Sequence, residues 1–363
     1  MKIKAWALSV VTFSVACTVL IFSAEVAQAV RLAIENCLTQ VVPSLMTFMT
    51  LSCFVSYTEV STIVVNVFGN LTDKVFHLPR CCAKVILMSL IGGYPCGARL
   101  TADLLKNREI TPEIAEHLLL FCIHPSPAYA VCAIGIGVFS DASLGFLIYA
   151  VHVVWACSIG FLWRNRKKRK GSGIKASTVT VGQGFVRAVY DSTNAMLAIC
   201  GFVITVSVIQ VLIEKTGIVM AVGSLVGNVP VVRALLYSFL DVVTAVGACA
   251  QCTPITAVVL CAGAMSLGGV SIWLQVAFML REYRMSFGKI IFFRIFHAVL
   301  TAGETWIIMK ITNFPITVST GAISVTFSEK RVQIAVLFLA CCIFFVVSLD
   351  QSIREIKQRW KKK

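Results

Sequence analysis

The stretch Val85-Ile-Leu-Met-Ser-Leu-Ile-Gly-Gly-Tyr-Pro-Cys-Gly-Ala98 is too apolar to lie in water and too short to cross a membrane. It has 14 residues, whereas a helix needs about 20 to cross the hydrocarbon core of a bilayer. Its Gly-Gly-Tyr-Pro-Cys-Gly segment is typical of a helix break. We therefore predict a re-entrant helical hairpin, whose non-helical backbone must be buried in protein or line a cavity.

Longer apolar runs surround this stretch. Of the 363 residues, 58% are hydrophobic and 13% are charged, against roughly 25% charged in a soluble domain. Unbroken apolar runs exclude a barrel, whose strands alternate apolar and polar residues. The chain is therefore predicted to be an all-α, polytopic membrane protein. The uncharged runs are Ala5–Ala24, Asn36–Thr58, Leu118–Ser140, Ala142–Trp163, Ser192–Ile213, Val242–Leu280 and Val332–Leu349.

The positive charges set the predicted topology. The net charge is +15, and the basic clusters Arg164–Lys170 and Arg354–Lys363 each follow a long apolar run. Anionic lipid and the positive-inside rule explain such clusters better than nucleic acid does. With Lys2 and Lys4 also inside, the Arg164 cluster stays cytoplasmic only if Val85–Ala98 turns back within the membrane. We expect a multi-pass protein of the cell membrane with both termini cytoplasmic.

A second long run repeats this organisation. Val242–Leu280 is 39 residues long, about twice a span, and is broken at Pro254 and at Gly268-Gly269. We predict a second hairpin over Arg233–Cys252, followed by a broken span. The order span, hairpin, broken span, span over residues 36–163 then recurs over 192–310 in the opposite orientation. Two inverted-topology repeats, each with a re-entrant hairpin, are typical of secondary transporters.

The predicted segments follow from these runs. Ala27-Gln28-Ala29 has the form of a signal-peptidase site, but the preceding apolar run is long, so an uncleaved first span is favoured. The segments are a first transmembrane helix (1–30), a first gate-like repeat (31–163), a basic cytoplasmic linker (164–183), a second inverted gate-like repeat (184–310), an outer loop (311–331), a last transmembrane helix (332–349) and a basic cytoplasmic tail (350–363).

Ionisable side chains inside the membrane are functional candidates because burying them is costly. Asp241 lies at the predicted turn of the second hairpin. Arg294, His297, Thr301 and Glu304 share one helix face, where Arg294 and Glu304 could instead neutralise each other. His124 and His152 are expected to be packing polar groups rather than proton carriers. The intramembrane polar candidates are His124, His152, Arg294, His297 and Glu304.

The Gly92–Arg99 motif supplies free backbone amides at a helix break, which suits an anionic or polar ligand. The alternative is a close helix crossing through small residues. Arg99 and Asp103, four residues apart, are expected to form a surface ion pair. The candidate substrate-lining residues are Gly93, Tyr94, Pro95, Gly97, Ala98, Arg99, Ser126, Asp241, Thr244, Gly247, Gly268, Gly269, Ser271 and Gln275.

No cofactor, metal site or enzymatic activity is predicted. Nearly all of the 15 cysteines fall in apolar runs, where they act as small hydrophobes. Cys249-Ala-Gln-Cys252 has redox or metal spacing, but no second pair accompanies it. Nothing resembles a nucleotide-binding loop, a zinc site or a catalytic carboxylate pair. The expected partners are the lipid bilayer, a small polar solute and a coupling ion, and nucleic acid is not expected.

Several motifs resemble those of the YlbJ-type sporulation integral membrane proteins. They are Gly93-Tyr-Pro-Cys-Gly-Ala-Arg-Leu-Thr-Ala-Asp-Leu104, Ile110-Thr-x-Glu-x-Ala-Glu-His-Leu118, Phe121-Cys122, Ser126-Pro127, Ser266–Gln275 and Arg294-Ile-Phe-His297, with Val42-Pro-Ser-Leu45 upstream. The resemblance implies a membrane protein of endospore-forming bacteria with nucleoside-recognition gate modules, similar to the hairpins of concentrative nucleoside transporters. The chain departs from the family pattern at Arg99, usually Lys, at His124-Pro125, usually Asn, and at Asp241, commonly Glu.

The leading hypothesis is a transporter or channel of endospore formation for a small polar or anionic solute, with nucleoside-like solutes included. The alternative is a non-transporting membrane scaffold for spore cortex or coat assembly. An enzyme ranks third because no catalytic constellation is present.

Overall fold

The structure is a computed structural model that describes residues 2–164, 179–312 and 316. Every regular element in these ranges is a helix, and no strand occurs among them. Most of the predicted basic linker lies outside the described residues, as do the predicted outer loop from residue 317 onward, the last transmembrane helix and the basic tail.

The first part of the chain, up to Arg164, contains nine α-helices. They are α1 (Lys2–Ile21), α2 (Ser23–Asn36), α3 (Val42–Tyr57), α4 (Val60–Phe76), α5 (Ala83–Gly92), α6 (Tyr94–Lys106), α7 (Pro112–Phe121), α8 (Gly137–Phe139) and α9 (Ala142–Leu162). A π-helical turn, Cys37–Val41, joins α2 to α3, and another, Tyr129–Ile136, leads into α8.

The second part of the chain, from residue 179 to residue 312, contains seven α-helices. They are α10 (Val181–Lys215), α11 (Ile218–Val226), α12 (Val229–Leu240), α13 (Val242–Cys249), α14 (Pro254–Leu267), α15 (Gly269–Met279) and α16 (Phe287–Thr312).

Several of these helices are long and apolar enough to cross a membrane. Among the described residues they are α9, α10, α14 with α15, and α16. Two bent pairs raise the number of candidate spans to six: Thr12–Ile21 with Ser23–Thr39, bent by 91°, and Leu45–Tyr57 with Val60–Phe76, bent by 88°. Large apolar side chains stay exposed on the outer surface, as a lipid-facing protein requires. The predicted all-α, polytopic fold is confirmed.

The helix breaks fall where the sequence predicts them. Gly93, with φ of 82°, ends α5 and begins α6, and this left-handed conformation favours glycine. Asp241 separates α12 from α13 in an extended conformation. Residues 122–126, which follow α7, are non-helical. Gly268 separates α14 from α15. Both predicted hairpins are therefore present as helix pairs, α5 with α6 and α12 with α13, each packed against its partner.

The two halves have the same order of elements and opposite directions. In each half a hairpin precedes a broken helix and one long helix, α9 or α16. His152 of α9 contacts His297 of α16, and Trp163, which immediately follows α9, contacts Phe293 of α16. Residue numbers therefore rise along one helix where they fall along the other. These equivalent helices are thus antiparallel, as an inverted repeat requires.

Gly97 marks the closest approach between the first hairpin and the first broken helix. A Cβ atom at this position would lie 1.8 Å from the carbonyl oxygen of Cys122. Gly97 therefore allows α6 to contact the backbone that follows α7. At Gly97, the Gly92–Arg99 motif therefore allows two segments to pack closely, which is the second of the two interpretations that the sequence left open.

Candidate functional site

A narrow, largely apolar cavity lies where the two hairpins and the two broken helices meet. About 50 Å³ of it is open to the centres of water molecules, which is room for a few waters. The residues that line it are Val41, Leu45, Tyr94, Pro95, Ser126, Tyr129, Ile199, Val203, Asp241, Val242, Val243, Ile272 and Gln275.

The N-terminal ends of four helical segments surround this cavity. Tyr94 and Pro95 begin α6, and Val242 and Val243 begin α13. Ser126 precedes the helical segment that starts at Pro127, and its hydroxyl accepts a 3.1 Å hydrogen bond from the Tyr129 amide. The fourth segment is α15, whose first two turns contribute Ile272 and Gln275. Because a helix N-terminus carries about half a positive charge, each of these ends can attract negative charge.

Asp241 caps one of these N-termini. Its side chain is buried, and its Oδ2 accepts hydrogen bonds from the amides of Val243 (2.9 Å) and Thr244 (3.2 Å). The Ser271 hydroxyl hydrogen-bonds to the same carboxylate. The carboxylate therefore compensates the dipole of α13, fixes the tip of the second hairpin and also lines the cavity.

Gln275 presents an unsatisfied acceptor in the cavity wall. Its Nε2 donates to the Ser271 hydroxyl over 3.3 Å. Its Oε1 is buried and has no hydrogen-bond partner among the described residues. A buried carbonyl without a donor costs about 1–3 kcal/mol, so a donor on a ligand or a water would be stabilised here.

Arg294 lies elsewhere, at the crossing of the two broken helices. Its guanidinium is fully buried and donates from Nη1 to the Ile123 carbonyl over 2.7 Å and from Nη2 to the Ser266 carbonyl. The Ser266 carbonyl lies in the last turn of α14, where the helix end carries partial negative charge, and the Ile123 carbonyl lies two residues beyond the end of α7. One side chain thus binds the backbone at the helix break of each half of the molecule.

The three candidate histidines form a hydrogen-bonded network beside Arg294. His152 contacts His124 through Nε2 and Nδ1 (3.1 Å) and the Ser266 hydroxyl through its own Nδ1 (2.8 Å). His297 donates from Nε2 to the His152 carbonyl over 2.9 Å and accepts from Arg294 at Nδ1 over 3.4 Å. This network ties α9 to α16.

Glu304 does not neutralise Arg294. Ten residues separate them on α16, which corresponds to about 15 Å along a helix. The buried face of α16 continues from Thr301 to Thr305, and Glu304 remains partly exposed.

Arg99 pairs with a residue that the sequence analysis missed. Its Nη2 lies 3.0 Å from Oδ2 of Asp191 on α10 and 3.2 Å from the Tyr57 hydroxyl of α3. The Tyr57 hydroxyl in turn donates to Asp191 over 2.5 Å. The expected contact with Asp103 is longer, 3.7 Å. Asp191 immediately precedes the run Ser192–Ile213, a position where an acid beside a basic segment could have been noticed.

The candidate lining residues separate into groups. Tyr94, Pro95, Ser126, Asp241 and Gln275 line the cavity, and Thr244 and Ser271 contact Asp241. Gly93, Gly268 and Gly269 have positive φ at helix breaks, and Gly97 packs against the Cys122 backbone. Arg99, Ala98 and Gly247 are not among the lining residues of this cavity. The apolar lining residues Val41, Leu45, Ile199 and Val203 carried no recognisable sequence signal.

Metal ligands are not assembled in the described part of the chain. Within residues 2–164 and 179–312, no group of three or more His, Cys, Asp or Glu side chains could hold a metal ion. Cys249 is buried and Cys252 is partly buried, and both are free thiols.

Comparison with known proteins places this geometry in context. No protein-family model matches the chain. It is 25% identical over 196 residues to the sporulation integral membrane protein YlbJ of Bacillus subtilis (strain 168), covering 48% of each protein. The chain thus spans about half the length of this curated relative.

The fold resembles that of CNTnw, solved in an inward-facing substrate-bound state. The TM-score is 0.50 at 11% sequence identity, over 84% of this chain and 88% of that one. The protein is an integral membrane protein with a transporter-like helical fold. The resemblance that its motifs indicated is confirmed, since about half of the chain is homologous to the YlbJ sporulation integral membrane protein.

Proposed function

We propose that this protein is a transporter or channel that moves a small polar or anionic solute across a membrane of the sporulating cell, and that it is not an enzyme. The convergence of four helix N-termini on one cavity is the observation that carries this proposal. Helix ends that meet at a polar site are typical of secondary transporters.

The electrostatics of the cavity favour such a solute. Asp241 compensates α13, but α6, the segment at Tyr129–Ile136 and α15 have no acidic residue in their first turns. Because Ser271 in the first turn of α15 also contacts the Asp241 carboxylate, the N-termini of α6 and of the segment at Tyr129–Ile136 are the ones that can stabilise negative charge on a ligand. Gln275 Oε1 accepts a hydrogen bond, so the solute should also carry a donor. We place both termini on the cytoplasmic side, in line with the positive-inside rule.

Transport by reconstituted vesicles tests the proposal. The purified protein is incorporated into liposomes, and uptake of radiolabelled nucleosides and small carboxylates is measured. Asp241→Ala removes the carboxylate that caps α13 and fixes the tip of the second hairpin, so we expect uptake to fall about tenfold or more. Asp241→Asn keeps an oxygen that can cap α13 and should retain more uptake, whereas Glu304→Gln should leave uptake unchanged. Normal transport by both Asp241→Asn and Asp241→Ala would refute the assignment of the site.

A further inference from the structure

We infer that the solute reaches the cavity from a polar groove between α2 and α10, through a gate formed by Gln210 and Thr244. This inference rests on the proposed function and adds to it the path by which the site is filled.

The groove is wide and polar, unlike the cavity. About 390 Å³ of it is open to the centres of water molecules. Its polar lining residues are Glu25, Gln28, Asn36, Ser207, Gln210, Glu214, Lys215, Tyr237 and Thr244. Several of these are already paired: Lys215 with Glu25, and Glu214 with both Arg233 and Tyr237. The charges that line the groove are therefore largely compensated, and its volume is large enough to admit water and a small polar solute.

One hydrogen bond joins two residues of the groove wall that lie next to the cavity. Gln210 donates from Nε2 to the Thr244 hydroxyl, and both residues line the groove. Val243, the neighbour of Thr244, lines the cavity, and so does Val203, seven residues before Gln210 on α10. Ser207, which also lines the groove, lies four residues after Val203, so about one helical turn of α10 separates the cavity wall from the groove.

The gate is also connected to the candidate binding residue. The Thr244 amide donates to Asp241, and its hydroxyl donates to the Asp241 carbonyl over 3.3 Å. Movement of Thr244 away from Gln210 therefore changes the position of the α13 N-terminus. A solute passing this point would meet the Asp241 carboxylate next.

The opposite end of the cavity is closed over a longer distance. From Ile199 towards Asp191, buried Met49, Cys53, Cys96 and Met196 pack in one apolar cluster. The pairing of Asp191 with Arg99 and Tyr57 lies beyond them. Asp191 and Ile199 are eight residues apart, about 12 Å along α10. Opening this end requires a charged network and an apolar cluster to separate, whereas the hydrogen bond that joins α10 to α13 at the groove end is a single neutral one.

Cysteine accessibility in membrane vesicles tests the path. Ser207→Cys reports on the groove and Val203→Cys on the cavity. Each is reacted with a membrane-impermeant thiol reagent in vesicles of known, opposite orientation. Fragment-ion mass spectrometry assigns each modification to the introduced cysteine and distinguishes it from native Cys200, which lies nearby in the sequence. We expect both positions to react from the same side of the membrane, with Val203→Cys reacting more slowly.

Removal of the gate bond should speed the reaction of Val203→Cys from that side alone. Gln210→Leu and, independently, Thr244→Val each remove one partner, and we expect about a tenfold faster reaction. Thr205→Val is the matched control, because Thr205 lines neither space and its hydroxyl donates to the Gly201 carbonyl within α10, and it should leave the rate unchanged. Reaction from the opposite side, or unchanged rates in both gate variants, would overturn the inference.

The labelling experiment tests the path and the transport experiment tests the proposed function, so the two can be refuted separately. The expected labelling pattern without uptake of any solute would remove the proposed function and leave the path in place. Transport that depends on Asp241, combined with labelling that ignores Gln210 and Thr244, would remove the path alone.

Discussion

Replacing Arg294 by methionine should destabilise the protein more than any other single charge removal in the described helices. The change keeps a long apolar stem but removes two hydrogen bonds, to the carbonyls of Ile123 and Ser266, and the longer contact with Nδ1 of His297. Bonds to a charged group contribute about 1.5–3 kcal/mol each, and each abandoned carbonyl costs about 1–3 kcal/mol. Relief from burying an ion offsets part of this loss, which leaves a net cost of about 3–5 kcal/mol.

Thermal unfolding of the detergent-purified protein, followed by tryptophan fluorescence, measures this cost. We expect Arg294→Met to lower the Tm by on the order of 5–10 °C. Arg294→Lys should give a smaller decrease, because a lysine keeps the charge but lacks the planar fork that reaches two carbonyls. The control, Glu304→Gln, changes a partly exposed residue of the same helix and should shift the Tm by about 1 °C or less. A Tm for Arg294→Met within 1 °C of the parent, on the order of measurement error, would show that this guanidinium does not hold the two helix breaks.

Two further substitutions test the packing of the first hairpin. Gly97→Ala should cost about 1–3 kcal/mol or prevent folding, because its methyl group overlaps the Cys122 carbonyl oxygen. Gly303→Ala is its control: a Cβ there meets no atom within 4 Å, so it should be neutral or stabilise the helix by up to about 1 kcal/mol. Asp191→Asn should cost about 1 kcal/mol, because it weakens a partly buried contact between α6 and α10. Asp103→Asn, which removes a carboxylate from the longer contact within α6, should cost less, and equal losses in thermal unfolding would contradict the longer-range role of Asp191.

Local sequence was sufficient to predict the hairpins. An apolar stretch too short for a span, with glycines in its middle, has few solutions other than a helix that turns back, and Gly93 adopts the left-handed conformation that such a turn uses. Asp241 was predictable for a related reason. A lone carboxylate inside an apolar run needs donors, and a helix N-terminus supplies them.

Partners distant in sequence were not predictable in the same way. The nearest acid on the face of Arg294 is Glu304, yet the guanidinium binds backbone carbonyls, which every residue type possesses. Arg99 pairs with Asp191, a residue in the other half of the chain. The cavity walls from α3 and α10 are ordinary aliphatic residues, so only the packing of the helices distinguishes them from lipid-facing ones.

The contact at Gly97 has a mechanical consequence. Because α6 touches the Cys122 backbone with no side chain between them, these two segments cannot slide past each other by small side-chain adjustments. A second contact of this kind joins Gly135 to Gly145, where an added Cβ on either glycine would lie 2.8 Å from the other's Cα. The first hairpin, the broken helix and α9 are therefore expected to move as one rigid body, so that any displacement occurs at its boundaries with α3, α15 and α16.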